Sequence, residues 1–193
     1  MARPSDELLQ SILRRHQAAP LSYPEVGATR DPVLPKGYQI DRHRIELGTG
    51  SRTFLAAKSA MQSWRMFDRA WLRIFPEHPE IRAGATIAVV SSHLKFYSIN
   101  LCRIVYVLDV AEPASVFGFA YGTLGEHAES GEERFTVSRY ADDDSVWYEI
   151  VAFSKPNAFL VKAGYPIGRA IQKRFARASL AAMRQALVEG SQM

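Results

Sequence analysis

Between residues 117 and 135 the chain reads FGFAYGTLGEHAESGEERF, an aromatic run that ends at Gly122 and passes into Gly, Glu and a single His. These residue types permit acid–base chemistry. A histidine with an ordinary pKa of ~6.5 gives or takes a proton near neutrality, and a neighbouring carboxylate can select its tautomer. His127 has Glu126 as that neighbour, with Glu129, Glu132 and Glu133 close behind. Strand alternation sets Phe117, Phe119, Tyr121 and Thr123 on one face and Gly118, Ala120 and Gly122 on the other. The bulky face can line an apolar pocket, and the flat one lets a packing layer or a ligand approach the backbone. The following loop can then carry His127 and one of Glu132 or Glu133 back over the strand end that bears Tyr121. Glu132 and Glu133 divide between inward and outward faces. An inward carboxylate bonded to Arg103 would explain the pattern structurally as well as an acid–base pair would. Tyr121, His127, Glu132 and Arg103 form the candidate catalytic set, against the competing reading of a solvated Glu-rich hairpin.

Other chemistries find little support. His16, His43, His78, His93 and His127 show no i, i+4 pairing and no clustered acidic partner, so no metal site is expected. Neither GxSxG nor a phosphate loop occurs, and no cofactor is expected. Cys102 is the sole cysteine, which excludes an internal disulfide and suits a reducing, cytoplasmic setting. Within a strand run it reads as a small core residue.

The elements that must position these residues follow from pattern. Ser5 to Arg15 has acidic residues first and then Leu8, Leu9, Ile12 and Leu13, the signature of an amphipathic helix. Pro20, Pro24, Pro32 and Pro35 then predict an extended connector over the surface. Alternation from Tyr38 to Leu47 predicts a strand, and Ser51 is placed to cap the next helix. Phe54, Ala57, Met61, Trp64, Trp71 and Phe75 predict helix over 52–75, in two pieces with a break near Asp68. Five strands are predicted at about 84–93, 100–110, 115–124, 131–140 and 145–154, with the tightest turn at Asp142, Asp143 and Asp144. Residues 156–190 carry the strongest helical signal, broken at Gly164 and Pro166. Ile167, Ile171, Phe175, Ala178 and Ala182 share one sector, and Arg169, Lys173, Arg177 and Arg184 form an opposite, solvated stripe.

At 193 residues the chain fits one domain, with residues 1–36 as an N-terminal extension of helix and connector. Hydrophobic residues make up 47%, yet no apolar run nears the ~18 needed to span a bilayer, so a soluble protein is expected. MARPSDELLQ does not resemble a secretory signal. A net charge of +4 permits anionic partners, but no basic run is interleaved with aromatics as a nucleic-acid stacking platform requires. No nucleic-acid partner is expected, and the oligomeric state stays open.

The order of helix, strand, helices, five antiparallel strands and long helix describes an α+β fold. A curved antiparallel sheet of about six strands grips the C-terminal helix, with an extra N-terminal helix. It resembles the helix-grip, START-like fold shared by birch-pollen-type allergens and aromatic polyketide cyclases. The stretches YPEVGAT at 23–29, IELGTG at 45–50, NLCRIVYV at 100–107, GFAYGTL at 118–124, SGEERF at 130–135 and AFSKP at 152–156 resemble the domain of unknown function 1990 family. Two departures stand out. Of the expected Pro-Gly-His-Pro only His127 matches, with Gly125, Glu126 and Ala128 at the other three positions, and loss of the two prolines should loosen that loop; Leu101 replaces a proline after Asn100.

Members of the fold hold apolar ligands between sheet and helix, so the resemblance implies a cavity but no reaction. The leading reading is a domain that binds an apolar or aromatic small molecule, with cofactor-free acid–base chemistry of the cyclase, dehydratase or isomerase type. Trp64, Tyr106, Phe119 and Tyr148 are the ring-bearing candidates for its wall. The competing readings are a non-catalytic carrier or sensor, and a structural domain that docks a partner on its basic helix face.

Overall fold

A computed structural model describes residues 3–93, 96–111, 114–125, 127–157 and 165–190, without the side chains of residues 93 and 165–167. Helix α1 (Asp6–His16) is capped by Ser5, whose hydroxyl accepts the Leu8 amide. It leads through the connector to β1 (Gln39–Thr49) and α2 (Gly50–Gln62), followed by β2 (Leu72–Phe75), β3 (Thr86–His93), β4 (Phe96–Val110), β5 (Ser115–Thr123), β6 (Glu129–Arg139), β7 (Ser145–Pro156) and α3 (Tyr165–Gly190). The strands form one curved antiparallel sheet in the order β1-β7-β6-β5-β4-β3-β2.

The seventh strand, β2, replaces the second half of the helix expected over 52–75. Trp64 takes a left-handed backbone conformation, φ 57°, which stops α2. Residues 65–67 then make a single 3-10 turn, and Leu72–Phe75 pairs with β3. The three-and-four spacing of Trp71 and Phe75 therefore reflects no helix. Ser51 lies inside the first turn of α2; the cap position is Thr49, whose carbonyl accepts the Thr53 hydroxyl. The Asp turn forms as expected, with the Asp143 carboxylate accepting the Ser145 amide.

The sheet has two covered faces. On the concave face α2 and the 3-10 turn bring Phe54, Met61, Trp64 and Phe67 onto Phe117, Phe119, Phe135, Val137 and Tyr148. α3 lies across the same face with Phe175, Ala176 and Met183, the Phe175 ring 5.1 Å from that of Phe67. The predicted stripe is thus shifted: Ala176, Ser179, Ala182 and Met183 are the buried residues, Ile171 and Phe175 are half-buried, and the Ile167 side chain and the Gly164 break lie outside the described residues. Arg169 also leaves its expected solvated sector and pairs with Asp41 of β1.

The convex face is covered by the N-terminal extension. Leu9 of α1 joins Ala88, Val90, Leu101 and Leu124 in a second cluster, so Leu101 serves as the seat of α1. The connector does more than wrap the surface: it buries Tyr23 and Thr29 against the sheet. Tyr23 lies on Gly122, where a Cβ would overlap its hydroxyl. The flat glycine face of β5 is filled by a packing layer of the chain itself.

Candidate functional site

The register fixes which polar groups meet on the concave face. Asp41 of β1 pairs with Ala152 of β7, Ala152 with Glu133 of β6, and Glu133 with Tyr121 of β5, giving one row across four strands. α2 and its following turn fill the groove on one side of this row. On the other side lies a cavity of about 350 Å³, closed by Trp71 and Leu72 and by Ile171, Gln172, Phe175 and Ala176 of α3. Its volume is at the lower end of the ~300–1,000 Å³ typical of ligand pockets.

Tyr121 donates to the Glu133 carboxylate at 2.6 Å inside this cavity. Burial and the Glu133 charge push the Tyr121 hydroxyl well above its ordinary range, so it stays a donor. Burial, opposed by the Tyr121 hydrogen bond and helped by the Asp41 charge, lifts Glu133 to about 7. Glu133 is half-buried because one side meets the cavity. Such a carboxyl exchanges a proton at neutral pH.

His127 also lines the cavity, and burial lowers its pKa to about 4, so the ring is neutral. Its Nδ1 accepts the Glu129 amide at 2.9 Å, which leaves the proton on Nε2. A backbone amide thus selects the tautomer; Glu126 lies outside the described residues. Asn157 ties the hairpin turn down by donating to the carbonyls of Gly125 (2.8 Å), which stands at an expected proline position, and of His127 (3.0 Å). Arg169 grips Asp41 with two bonds of 2.5 and 2.7 Å, which holds the Asp41 carboxyl below its usual value. Burial raises Glu129, opposed by Ser154 and the Arg169 charge.

Of the expected catalytic set, Tyr121 and His127 meet in this cavity, while Glu132 and Arg103 carry their side chains to the convex face. The Glu132 carboxylate accepts Tyr23 Oη (2.6 Å), the amides of Gly27 (2.7 Å) and Thr29 (3.0 Å), and Thr29 Oγ1 (2.5 Å). Arg103 donates to the carbonyls of His16, Gln17 and Ala19 at the end of α1, and among the described residues it makes no bond to an inward carboxylate. Of the two carboxyls considered for this strand end, Glu133 rather than Glu132 turns its side chain into the cavity. It shares parity with Phe135 and Val137, the apolar residues of its own strand, and that signal was present.

The four ring candidates lie elsewhere. Phe119 and Tyr148 are fully buried core residues, the latter bonded to Ser179 at 2.8 Å. Trp64 packs on Phe119 and donates to Pro79 O, beside a separate surface hollow. A bulge between Ile104 and Tyr106 turns Tyr106 to the convex face, where Thr29 bonds its hydroxyl at 2.7 Å. The aromatic wall of the cavity is instead Trp71, Tyr121 and Phe175. Among the described residues, no three His, Cys, Asp or Glu side chains converge to hold a metal.

Residues 22–182 match the family described as Domain of unknown function (DUF1990). The chain belongs to the DUF1990 family. A UPF0548 protein of Dictyostelium discoideum is 31% identical over 190 residues, covering 90% of this chain and 88% of its own. Another from Deinococcus radiodurans is 34% identical over 176 residues, covering 86% of each. Among solved structures, human STARD10 aligns with a TM-score of 0.52 at 12% identity, over 98% of this chain and 82% of its own. That likeness places this DUF1990 protein in the START-like, helix-grip fold. Among the described residues no helix is long and apolar enough to cross a membrane.

Proposed function

We propose that this protein binds a small molecule with an apolar body and a polar end in the cavity between sheet and C-terminal helix, and that Glu133 with Tyr121 moves a proton on it. The carrying observation is the Tyr121–Glu133 pair itself, a carboxyl poised near neutrality at 2.6 Å from a tyrosine donor on an apolar wall. Ile150, Val89, Ile171 and Phe175 would hold the body of the ligand. Glu133 acts as base when ionised and as acid when protonated, Tyr121 steadies the charge, and His127 offers an Nε2 proton to a developing oxyanion. Such a set suits isomerisation, dehydration or cyclisation.

Native mass spectrometry of the protein purified from its own organism should show a retained small molecule. With that molecule as substrate, Glu133→Gln and His127→Ala should each lower turnover by ~10²–10⁴ while the fold is kept. A retained ligand that neither wild type nor variants alter would leave a carrier, and a cavity that retains nothing under native conditions would count against the binding reading.

A further inference from the structure

The charges around the cavity select among polar ends. The described lining residues include Asp41, Glu129, Glu132 and Glu133 and no Lys or Arg. Glu132 spends its carboxylate on the convex face, and Asp41 is held by the two-pronged Arg169 pair at the rim. Glu133 remains. Among the described residues its side-chain hydrogen-bond partner is the neutral Tyr121 hydroxyl, and its other side meets a cavity with Val89, Ile150, Ile171 and Phe175 on its walls. A carboxylate in apolar surroundings is stabilised by a cation that brings its own apolar body, and the same surroundings repel a second anion.

We infer that the ligand class of this cavity is an amphiphilic amine, its protonated nitrogen on Glu133 and its hydrocarbon against the α3 wall. The inference rests on the cavity being a binding site, as proposed above. A protonated amine is a hydrogen-bond donor with no acceptor, and Glu133 ionised is an acceptor with no donor, so the two complement each other. Tyr121 already occupies Oε2, which leaves Oε1 for the nitrogen. The titratable groups around Glu133 are Asp41 and His43 from β1, Cys102 from β4, Tyr121 from β5, His127 and Glu129 from the hairpin, Tyr148 from β7 and, through Asp41, Arg169 from α3. Burial keeps Cys102, Tyr121 and Tyr148 protonated and His127 neutral near pH 7. Glu133 is the group there whose proton an incoming amine would displace.

The test is calorimetric titration of the full chain with three molecules of one body and different heads: octylamine, octanol and octanoate. Octylamine should bind at least about tenfold more tightly than octanol, with octanoate weakest, since an unpaired buried charge is the costliest mismatch. Its apparent heat near pH 7 should vary with the ionisation heat of the buffer, because a carboxyl of pKa about 7 is half protonated there and must release that proton. Glu133→Gln should abolish both the buffer dependence and the preference for the amine over the alcohol. Equal or tighter binding of octanol or octanoate overturns the amine assignment and leaves the cavity a binding site. An amine heat that does not depend on buffer removes Glu133 as its contact. If none of the three binds up to its solubility limit, the cavity reading fails, and this inference with it. Should Glu133→Gln not fold, the head-group order and the buffer dependence of the wild type decide alone.

Discussion

Glu132 and Glu133 are neighbours in one strand and live in opposite chemistries. Glu132, 2% exposed, accepts hydrogen bonds from four donors delivered by a connector more than 100 residues earlier in sequence. Glu133 faces a cavity with Tyr121 as its bonded partner. The first is a carboxylate used as a fastener, its charge met by aligned donors so that burial is offset. The second is a carboxylate left short of partners, which raises its pKa and makes it useful. A single residue step across the pleat separates structure from candidate chemistry.

The largest effect should come from the fastened side. Glu132→Ala strips Tyr23, Gly27 and Thr29 of their acceptor, and at about 1–3 kcal/mol per stranded buried donor, with some rehydrated, roughly 3–5 kcal/mol of stability should be lost. Urea unfolding measures this. A loss under about 1 kcal/mol would mean that the connector is not fastened there.

Glu133→Gln should act in the opposite direction. The Glu133 carboxyl has a folded pKa of about 7 against an ordinary 4.5, so between those values the native state holds more protons than the unfolded state. Stability is therefore lost as pH rises through this window, and the loss is complete above it. The neutral amide removes that cost, and the variant should gain about 1–3 kcal/mol over wild type at pH 8 and little at pH 5. Paired unfolding curves at the two pH values test the sign, and a variant less stable than wild type at both would show Glu133 to be a second fastener.

How much of this was legible follows from what each signal depends on. Parity was readable: Phe117, Phe119 and Tyr121 share a face because a strand alternates, and the same count through Val137 and Phe135 reaches Glu133. The count fails wherever a bulge adds a residue, which is why Tyr106 lies across from its expected side. Trp64, Phe119 and Tyr148 were read as wall because aromatic character does not distinguish a ring under another ring from a ring facing space. Where α2 and the turn after it lie decides that, and the left-handed Trp64 that ends α2 leaves no mark in residue type. Arg169 carried the periodicity of a solvated stripe, and only the approach of β1 turns it to Asp41. The prolines of 20–35 announced an extended connector, but its docking onto Glu132 is a long-range contact that no local pattern encodes.

A smaller effect tests the layer between the two faces. Gly122 lies under Tyr23 with no room for a Cβ, so Gly122→Ala must push the ring and its bond to Glu132 aside. Overpacking of this kind costs about 1–3 kcal/mol. The change is on the convex face, so ligand binding in the cavity should survive it, and thermal unfolding beside a binding titration would separate the two. Loss of binding with unchanged stability would mean that the faces are coupled through β5.

The smallest stability change belongs to Tyr121→Phe, and it bears most directly on the contrast between the two carboxyls. Removing the hydroxyl deletes one of the few interactions that favour ionised Glu133, while the ring keeps its place against Phe135, 5.3 Å away. At neutral pH Glu133 is already half protonated, and with its donor gone it can take up a proton and turn neutral, so about 1 kcal/mol or less should be lost. The pKa of Glu133 should rise from about 7, because burial then acts with less opposition. Carboxyl carbon shifts of Glu133 followed by NMR across pH 5 to 9, in wild type and Tyr121→Phe, read this directly. A midpoint that stays near 7 would show that burial alone sets it and that Tyr121 is a wall residue. A midpoint near 4.5 in the wild type would end the contrast, since Glu133 would then titrate at its ordinary value.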